Sequence, residues 1–124
     1  MAKYIEWTVY KGHRILAANF SGIRDEKEYL SGFDELEQEI LKQPKGNKLL
    51  MLVNVTDTML SRAITDRGRK LITASQEAGI QASPTVMVGV TGFQKAVVQA
   101  MQFFRKELHV EDTIEQAKEW LIAQ

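Results

Sequence analysis

The stretch Pro84–Phe104, PTVMVGVTGFQKAVVQAMQFF, decides the fold of this chain. It begins with a short apolar run rich in β-branched residues, VMVGV, which is typical of a strand covered on both faces. From Phe93 to Phe104 the apolar residues recur instead at helical spacing, on one stripe. A buried strand followed at once by an amphipathic helix is the repeating unit of a parallel sheet. The stretch therefore predicts an α/β fold.

The composition narrows the class of protein. Hydrophobic residues make up 44% of the 124 positions and charged residues 26%, which is typical of a folded globular domain. Sixteen basic residues balance sixteen acidic ones, so no overall field recruits nucleic acid or an anionic membrane. No window reaches the roughly 18 apolar residues of a membrane span, and the charged N-terminus does not read as a signal peptide. We expect a cytoplasmic protein without membrane insertion or a nucleic-acid partner.

The rest of the chain extends the same pattern on both sides. Alternating runs at Tyr4–Tyr10 and Arg14–Phe20 predict a β-hairpin turned at Lys11-Gly12-His13. A helix follows over Glu26–Lys42, with Asp25 as its N-cap and Glu28 completing a capping box. The run LLMLVNV, at 49–55, is the most apolar of all and predicts a central parallel strand.

The second half contributes two more helices and one further strand. Ser61 is a plausible N-cap for a helix that reaches Ala78. A short edge strand is expected over Leu108–Glu111, and a last helix after the cap Thr113, with Ile114, Ala117 and Leu121 facing inward. The predicted order is β-β-α-β-α-β-α-(β)-α in a single domain, residues 1–124.

Ligands bind open α/β sheets beyond the carboxyl ends of the strands, which selects two loops. The first loop runs from Asn54 to Ser61 and places Asn54, Thr56, Asp57 and Thr58 at the end of the most buried strand. These groups can bind a ligand or accept a phosphoryl group. Alternatively, they form an Asx or ST turn that satisfies the local backbone, and we favour that interpretation.

The second loop is Thr91-Gly92-Phe93-Gln94-Lys95. Here the N-terminus of the predicted helix could hold an anion, assisted by Lys95. Alternatively, Thr91 caps the helix, Gly92 permits the turn and Lys95 is solvated. One glycine is far short of a phosphate-binding fingerprint, so the second interpretation is favoured.

Four basic residues crowd the helix after Ser61: Arg62, Arg67, Arg69 and Lys70. Such a run can bind a phosphate or a partner protein, but a solvated helix face is the more common explanation. There is no cysteine, and the two histidines lack a zinc-binding spacing. No serine stands in the context of a nucleophile elbow either. The sequence predicts no catalytic residues, no metal and no cofactor.

Four segments together resemble one known family. They are the hairpin YIEWTVYKGHRILAANFSG, the strand LLMLVNVTD, the segment VMVGVTGFQKAVVQAMQFF and the ending VEDTIEQAKEWLIAQ. Over nearly its whole length the chain resembles the STAS-like superfamily, the anti-sigma-factor-antagonist fold also found in sulfate transporters. Within it, the chain is most similar to small stand-alone bacterial proteins of uncharacterised function. The resemblance implies a mixed sheet with helices packed against it, and a role in binding or regulation.

The resemblance also implies a phosphorylation switch, but this sequence departs from the motif that carries it. Antagonists of the family carry a phosphorylatable Ser followed by Gly after the central strand. Here the chain has Thr56-Asp57-Thr58-Met59-Leu60-Ser61-Arg62, with no Ser-Gly. Ser61 and Thr58 are the hydroxyls nearest the corresponding place.

Three functional hypotheses follow. The leading one is a non-enzymatic module that binds a partner protein or small ligand through the loops at 54–61 and 91–95. The second is a carrier or sensor of a lipophilic or anionic molecule, with Met59, Leu60 and Phe93 lining a groove. The third is a small enzyme that uses Asp57 as acid or base, for which no catalytic partner is evident. A homodimer is plausible.

Overall fold

A computed structural model describes residues 4–46, 49–59, 61–80, 84–90 and 108–124 of the chain. Within these ranges there are five strands in one sheet: β1 (Ile5–Tyr10), β2 (His13–Asn19), β3 (Met51–Asn54), β4 (Thr85–Val88) and β5 (Leu108–Glu111). Three helices accompany them: α1 (Glu26–Leu41), α2 (Arg62–Glu77) and α3 (Ile114–Ile122). The helix predicted to begin at Phe93 falls outside the described residues.

The sheet is mixed and its strands follow chain order, β1-β2-β3-β4-β5. β1 pairs antiparallel with β2, and β2 to β5 are parallel to one another. The hairpin turns at Lys11 and Gly12, whose φ angles of 49° and 84° are those of a two-residue type I′ turn. β3 is central and β5 lies at one edge, as the sequence predicts.

The two faces of the sheet carry separate parts of the core. α1 and α2 contact each other and cover one face, where residues such as Leu16, Met51 and Val53 are buried against Leu36 and Leu71. α3 lies on the other face. Ala117 and Leu121 are completely buried there, next to Val86 and Leu52. β4 is therefore covered on both sides, which is why its sequence is apolar without alternation.

The three helix starts confirm the predicted N-caps. The side chains of Asp25, Ser61 and Thr113 each accept a hydrogen bond from the backbone N–H three residues later. One inward position was wrong, because Ile114 is 36% exposed. Side chains on a helix tilt toward its N-terminus, so the side chain of the first residue points past the start of α3 rather than onto the sheet.

Candidate functional site

The carboxyl ends of β2, β3 and β4 meet at one edge of the sheet. Asn19, Asn54 and Val88 are neighbours in the parallel register. The strands stay joined just beyond their ends, since Phe20 N–H donates to Asn54 O and Val55 N–H donates to Val88 O, both at 2.9 Å. The loops that leave these strands are therefore held side by side.

Asn54 closes a turn with its own backbone. Its Oδ1 accepts hydrogen bonds from the Thr56 N–H at 3.0 Å and from the Thr56 hydroxyl at 2.6 Å. This is the Asx turn that was the favoured alternative to ligand binding. Asn19 forms the same turn on β2, accepting from the Ser21 N–H at 3.2 Å and from the Ser21 hydroxyl at 2.6 Å.

Gly89 brings the end of β4 against the β3 loop. Its φ is 84°, and a Cβ at this position would lie 2.1 Å from Thr56 Oγ1 and 2.6 Å from Thr56 Cα. On the other side, Gly22 N–H donates to Thr56 O at 2.9 Å. Thr56 is thus held between the loop after β2 and the end of β4.

Asp57 lies at the exposed tip of the same loop, with an unusual backbone conformation. Its φ is 55°, in the left-handed region that residues other than glycine seldom adopt. Its carboxylate accepts a hydrogen bond from Arg24, which stands on the loop between β2 and α1. Both side chains are mostly exposed, at 69% for Asp57 and 67% for Arg24. The ion pair therefore links two loops and faces solvent.

Thr58 points the other way, into the core. The residue is only 8% exposed, and its hydroxyl donates to Val55 O at 2.8 Å. It also interacts with the buried phenol of Tyr29. Burial raises the pKa of Tyr29 above its ordinary value, and the hydrogen bond with Thr58 acts in the opposite direction. Thr58 therefore stabilises the base of the loop from beneath.

Ser61 stands at the start of α2 and is partly exposed. Its hydroxyl oxygen accepts a hydrogen bond from Ile64 N–H at 3.3 Å, and its O–H donates one to Glu26 Oε1 at 2.8 Å. The residue thus joins the first turns of α1 and α2. Of the two hydroxyls considered for phosphorylation, that of Ser61 is the more accessible.

The other predicted site residues, Thr91, Gly92 and Lys95, lie outside the described residues. So do Leu60 and Phe93 of the groove considered for a lipophilic ligand. The third residue of that groove, Met59, is partly buried against the core on the α1 and α2 side of the sheet.

The basic residues of α2 do not form one solvated patch. Arg67 is only 16% exposed and spans the two helices, contacting Asp34 at 3.0 Å and Glu37 at 3.1 Å on α1. Arg62 and Arg69 are exposed, and each lies 4.0 Å from Asp66. The predicted solvated face is confirmed for these two residues and for the exposed Lys70, but was wrong for Arg67.

Sequence reasoning missed four residues of this edge: Asn19, Ser21, Arg24 and Gly89. Two of them had a visible signal, because Asn19-Phe20-Ser21 repeats the spacing of Asn54-Val55-Thr56 at the end of the neighbouring strand. Arg24 and Gly89 had none, since their partners are 33 residues away in the chain.

The edge presents hydrogen-bonding and charged groups to solvent. Across the described ranges no three histidine or acidic side chains are grouped so that they could hold a metal ion. The carboxylate of Asp57 is paired with a guanidinium, which cannot act as a proton acceptor. The edge offers rigid turns, hydroxyls and one exposed pair of opposite charges.

Comparison with solved structures identifies the architecture. The chain is similar to an uncharacterised protein of the DUF3478 family with a SpoIIAA-like fold from Shewanella loihica PV-4, with a TM-score of 0.69. The alignment covers 94% of this chain and 91% of that protein at 18% sequence identity. The fold is SpoIIAA-like. That is the STAS-like architecture which the four sequence segments indicated.

The five-stranded mixed sheet and the helices packed on it match this SpoIIAA-like fold. At 18% sequence identity, the similarity to this protein shows the fold alone. No protein-family profile matches the sequence, and no curated protein does. In the described parts of the chain, no helix has the length and apolar character needed to cross a membrane.

Proposed function

We propose that the protein is a non-enzymatic binding module that recognises a partner protein through the carboxyl-end loops of β2 and β3. These loops, here called the tip surface, are Ser21–Arg24 and Thr56–Met59. The observation that supports the proposal most is the exposed Arg24–Asp57 ion pair. Its two residues follow the adjacent turns that Asn19 and Asn54 close. A surface built in this way is ordered before it meets a partner.

Rigidity matters because a loop that is already fixed loses little conformational entropy on binding. Asn19 and Asn54 each hold their turn with two hydrogen bonds, and Gly22 and Gly89 lock Thr56 from both sides. An exposed ion pair contributes little to folding stability. Its cation and anion are therefore available to partner charges, which set orientation and specificity.

The direct test places a photo-crosslinking amino acid at Arg24, at Asp57 and, as a control, at Gln76. Gln76 is also exposed but lies near the far end of α2. In cells of the source organism we expect the same protein to crosslink from positions 24 and 57 and not from 76. Equal yields from all three positions would contradict a partner surface at the tip.

A quantitative test then uses the captured protein in purified form. Reversing the charge with Arg24→Glu should weaken its binding about tenfold or more, because it places two carboxylates together at the tip. Asp57→Asn is the milder variant, since asparagine tolerates a left-handed backbone. Unchanged affinity in both variants would rule out the ion pair as a recognition element.

Native mass spectrometry separates this proposal from the carrier alternative, and the turnover of an Asp57→Asn variant separates it from the enzyme alternative. A partner-binding module should show the bare chain mass or its oligomer. Non-covalent mass that is lost on denaturation would favour a small-molecule carrier instead. Retained folding with loss of a catalytic turnover in Asp57→Asn would favour an enzyme.

A further inference from the structure

A concave site lies at the opposite end of the sheet from the tip surface. It is a cleft of about 370 Å³, formed where the β1–β2 hairpin extends past the start of β3. Its lining is made of Trp7, Gly12, His13 and Arg14 from the hairpin, Leu49 and Leu50 before β3, Gln43 just after α1, and Gln124 after α3. The volume is within the range of small-molecule sites.

The cleft contains a guanidinium, that of Arg14, which has no ion-pair partner among the described residues. The Arg14 guanidinium lies over the Trp7 ring, 4.4 Å from its centroid. In the part of the chain that the structure describes, Arg14 forms no ion pair, whereas Arg24, Arg67 and Lys11 each do. A guanidinium stacked on an aromatic ring keeps its N–H edge free for a planar anion.

The nearby acidic residue does not cancel this charge. Glu39 accepts a hydrogen bond from Trp7 Nε1 at 2.8 Å through one oxygen, and its other oxygen lies 3.4 Å from Lys42 Nζ. Glu39 and Lys42 therefore compensate each other, and Trp7 is held in place by the bond to Glu39. Glu39 forms no ion pair with Arg14, so the Arg14 guanidinium can still bind an anion.

The apolar part of the cleft sets a second requirement for its ligand. The apolar surface that a ligand can reach is that of the half-buried Leu50 and of the Trp7 ring, whereas Leu49 is buried beneath them at 2% exposure. A carboxylate fits the guanidinium fork through two parallel hydrogen bonds. We propose that this cleft is a second binding site, which takes a small molecule with a carboxylate on an apolar body.

The test uses benzoate as the probe, with benzyl alcohol as its neutral counterpart and inorganic phosphate as an anion without an apolar body. Each is titrated into ¹⁵N-labelled full-length protein at constant ionic strength. We expect benzoate to shift the Trp7 indole N–H and the Gly12 and His13 amides saturably. Benzyl alcohol and phosphate should bind markedly more weakly.

Two variants locate the effect. Arg14→Gln should raise the benzoate dissociation constant about tenfold or more, because a hydrogen bond to a charged group is lost. Arg14→Lys keeps the charge without the fork and should recover only part of the affinity. Arg62→Gln, at an exposed position on α2, is the matched control and should leave benzoate binding unchanged.

Several results would overturn the proposal. Absence of saturable shifts at the cleft would reject the site. Equal affinity for benzyl alcohol would reject the role of the carboxylate, and equal affinity for phosphate would reject that of the apolar body. Equal benzoate binding by the wild type and Arg14→Gln would reject Arg14 as the recognition group. Arg14 is exposed, so its variants are expected to fold, which the dispersion of their amide spectra checks.

Discussion

Asn19 and Asn54 occupy the same register on adjacent parallel strands, and each closes an identical turn with the hydroxyl residue two positions later. Asn54 is the less exposed of the two. Its loss removes the acceptor of the Thr56 N–H and hydroxyl together with the less exposed of the two asparagine side chains. The two asparagines are thus matched in geometry and differ in burial.

We expect Asn54→Ala to lower the free energy of unfolding by about 1 kcal/mol, and Asn19→Ala to lower it by less. Urea denaturation of both variants measures the difference. Asn54→Asp keeps the acceptor oxygen and should recover most of the stability. An Asn19→Ala variant that loses as much as Asn54→Ala would show that burial does not govern the strength of these turns.

Gly89→Ala should be among the most damaging single substitutions in this part of the chain. The new methyl group would meet backbone atoms of Thr56, 2.6 Å from Cα and 2.7 Å from N, which cannot rotate away. We expect a loss of about 3 kcal/mol, from backbone strain together with overpacking.

Gly12→Ala separates these two contributions. Gly12 has the same φ of 84°, but nothing lies within 4 Å of the position that the new methyl group would occupy. It should lose only about 1 kcal/mol, through strain alone. Thermal and urea unfolding of both variants give the comparison. Equal losses would mean that the contact with Thr56 adds nothing to the cost.

Arg67 provides a test of how α1 and α2 are joined. Removing it with Arg67→Ala leaves Asp34 and Glu37 without the cation that they share, and we expect a loss of about 2 kcal/mol. Arg69→Ala is the control, since Arg69 is 63% exposed and 4.0 Å from Asp66. Its effect should stay within about 0.5 kcal/mol. Similar unfolding midpoints for the two variants would contradict the bridging role of Arg67.

How far the sequence predicts the structure depends on whether the controlling interaction is local. Asp25, Ser61 and Thr113 cap their helices through bonds that span three residues, and all three were predictable. Arg67 was assigned to a solvated face because its partners lie 30 and 33 residues away, on another helix. A run of basic residues has the same sequence pattern whether its side chains face solvent or bridge to another helix.

The candidate site divides in the same way. Asn54 and Asp57 were selected by their place at the end of an apolar strand, and the Asx turn of Asn54 follows from its own neighbours. The partner of Asp57 was not predictable, because Arg24 reaches it from the loop after another strand. The cleft near Arg14 was not predictable either. It depends on how far the hairpin extends past β3, which is a property of the strand register.

The hydrogen bond from Trp7 to Glu39 should make stability depend on pH. This bond, more than the charge of Lys42, lowers the pKa of Glu39 below its ordinary value. A carboxyl whose pKa is lower in the folded than in the unfolded state stabilises the fold above its unfolded pKa, roughly 4.3. That contribution is lost as the pH falls through the folded pKa.

Trp7→Phe removes the donor and keeps an aromatic ring. We expect the pKa of Glu39, followed by carboxyl ¹³C NMR, to rise in this variant toward its ordinary value. The stability difference between wild type and variant should be larger at pH 7 than at pH 3. A Glu39 titration that is the same in both proteins would show that the bond does not set its pKa.

Ser61 bears on whether a charge at this position can act as a switch. Its hydroxyl caps α2 and also donates to Glu26, so a negative group here would gain from the helix N-terminus and be repelled by Glu26. Ser61→Ala should cost about 1 kcal/mol through the lost cap.

Ser61→Asp keeps a cap acceptor but faces the carboxylate of Glu26. Combining it with Glu26→Gln, which replaces that charge with an amide donor, should restore about 1 kcal/mol relative to Ser61→Asp alone. A double-mutant cycle with Glu26→Gln as the remaining corner measures the coupling by urea denaturation. Simple additivity of the two changes would mean that Glu26 does not oppose a negative charge at Ser61.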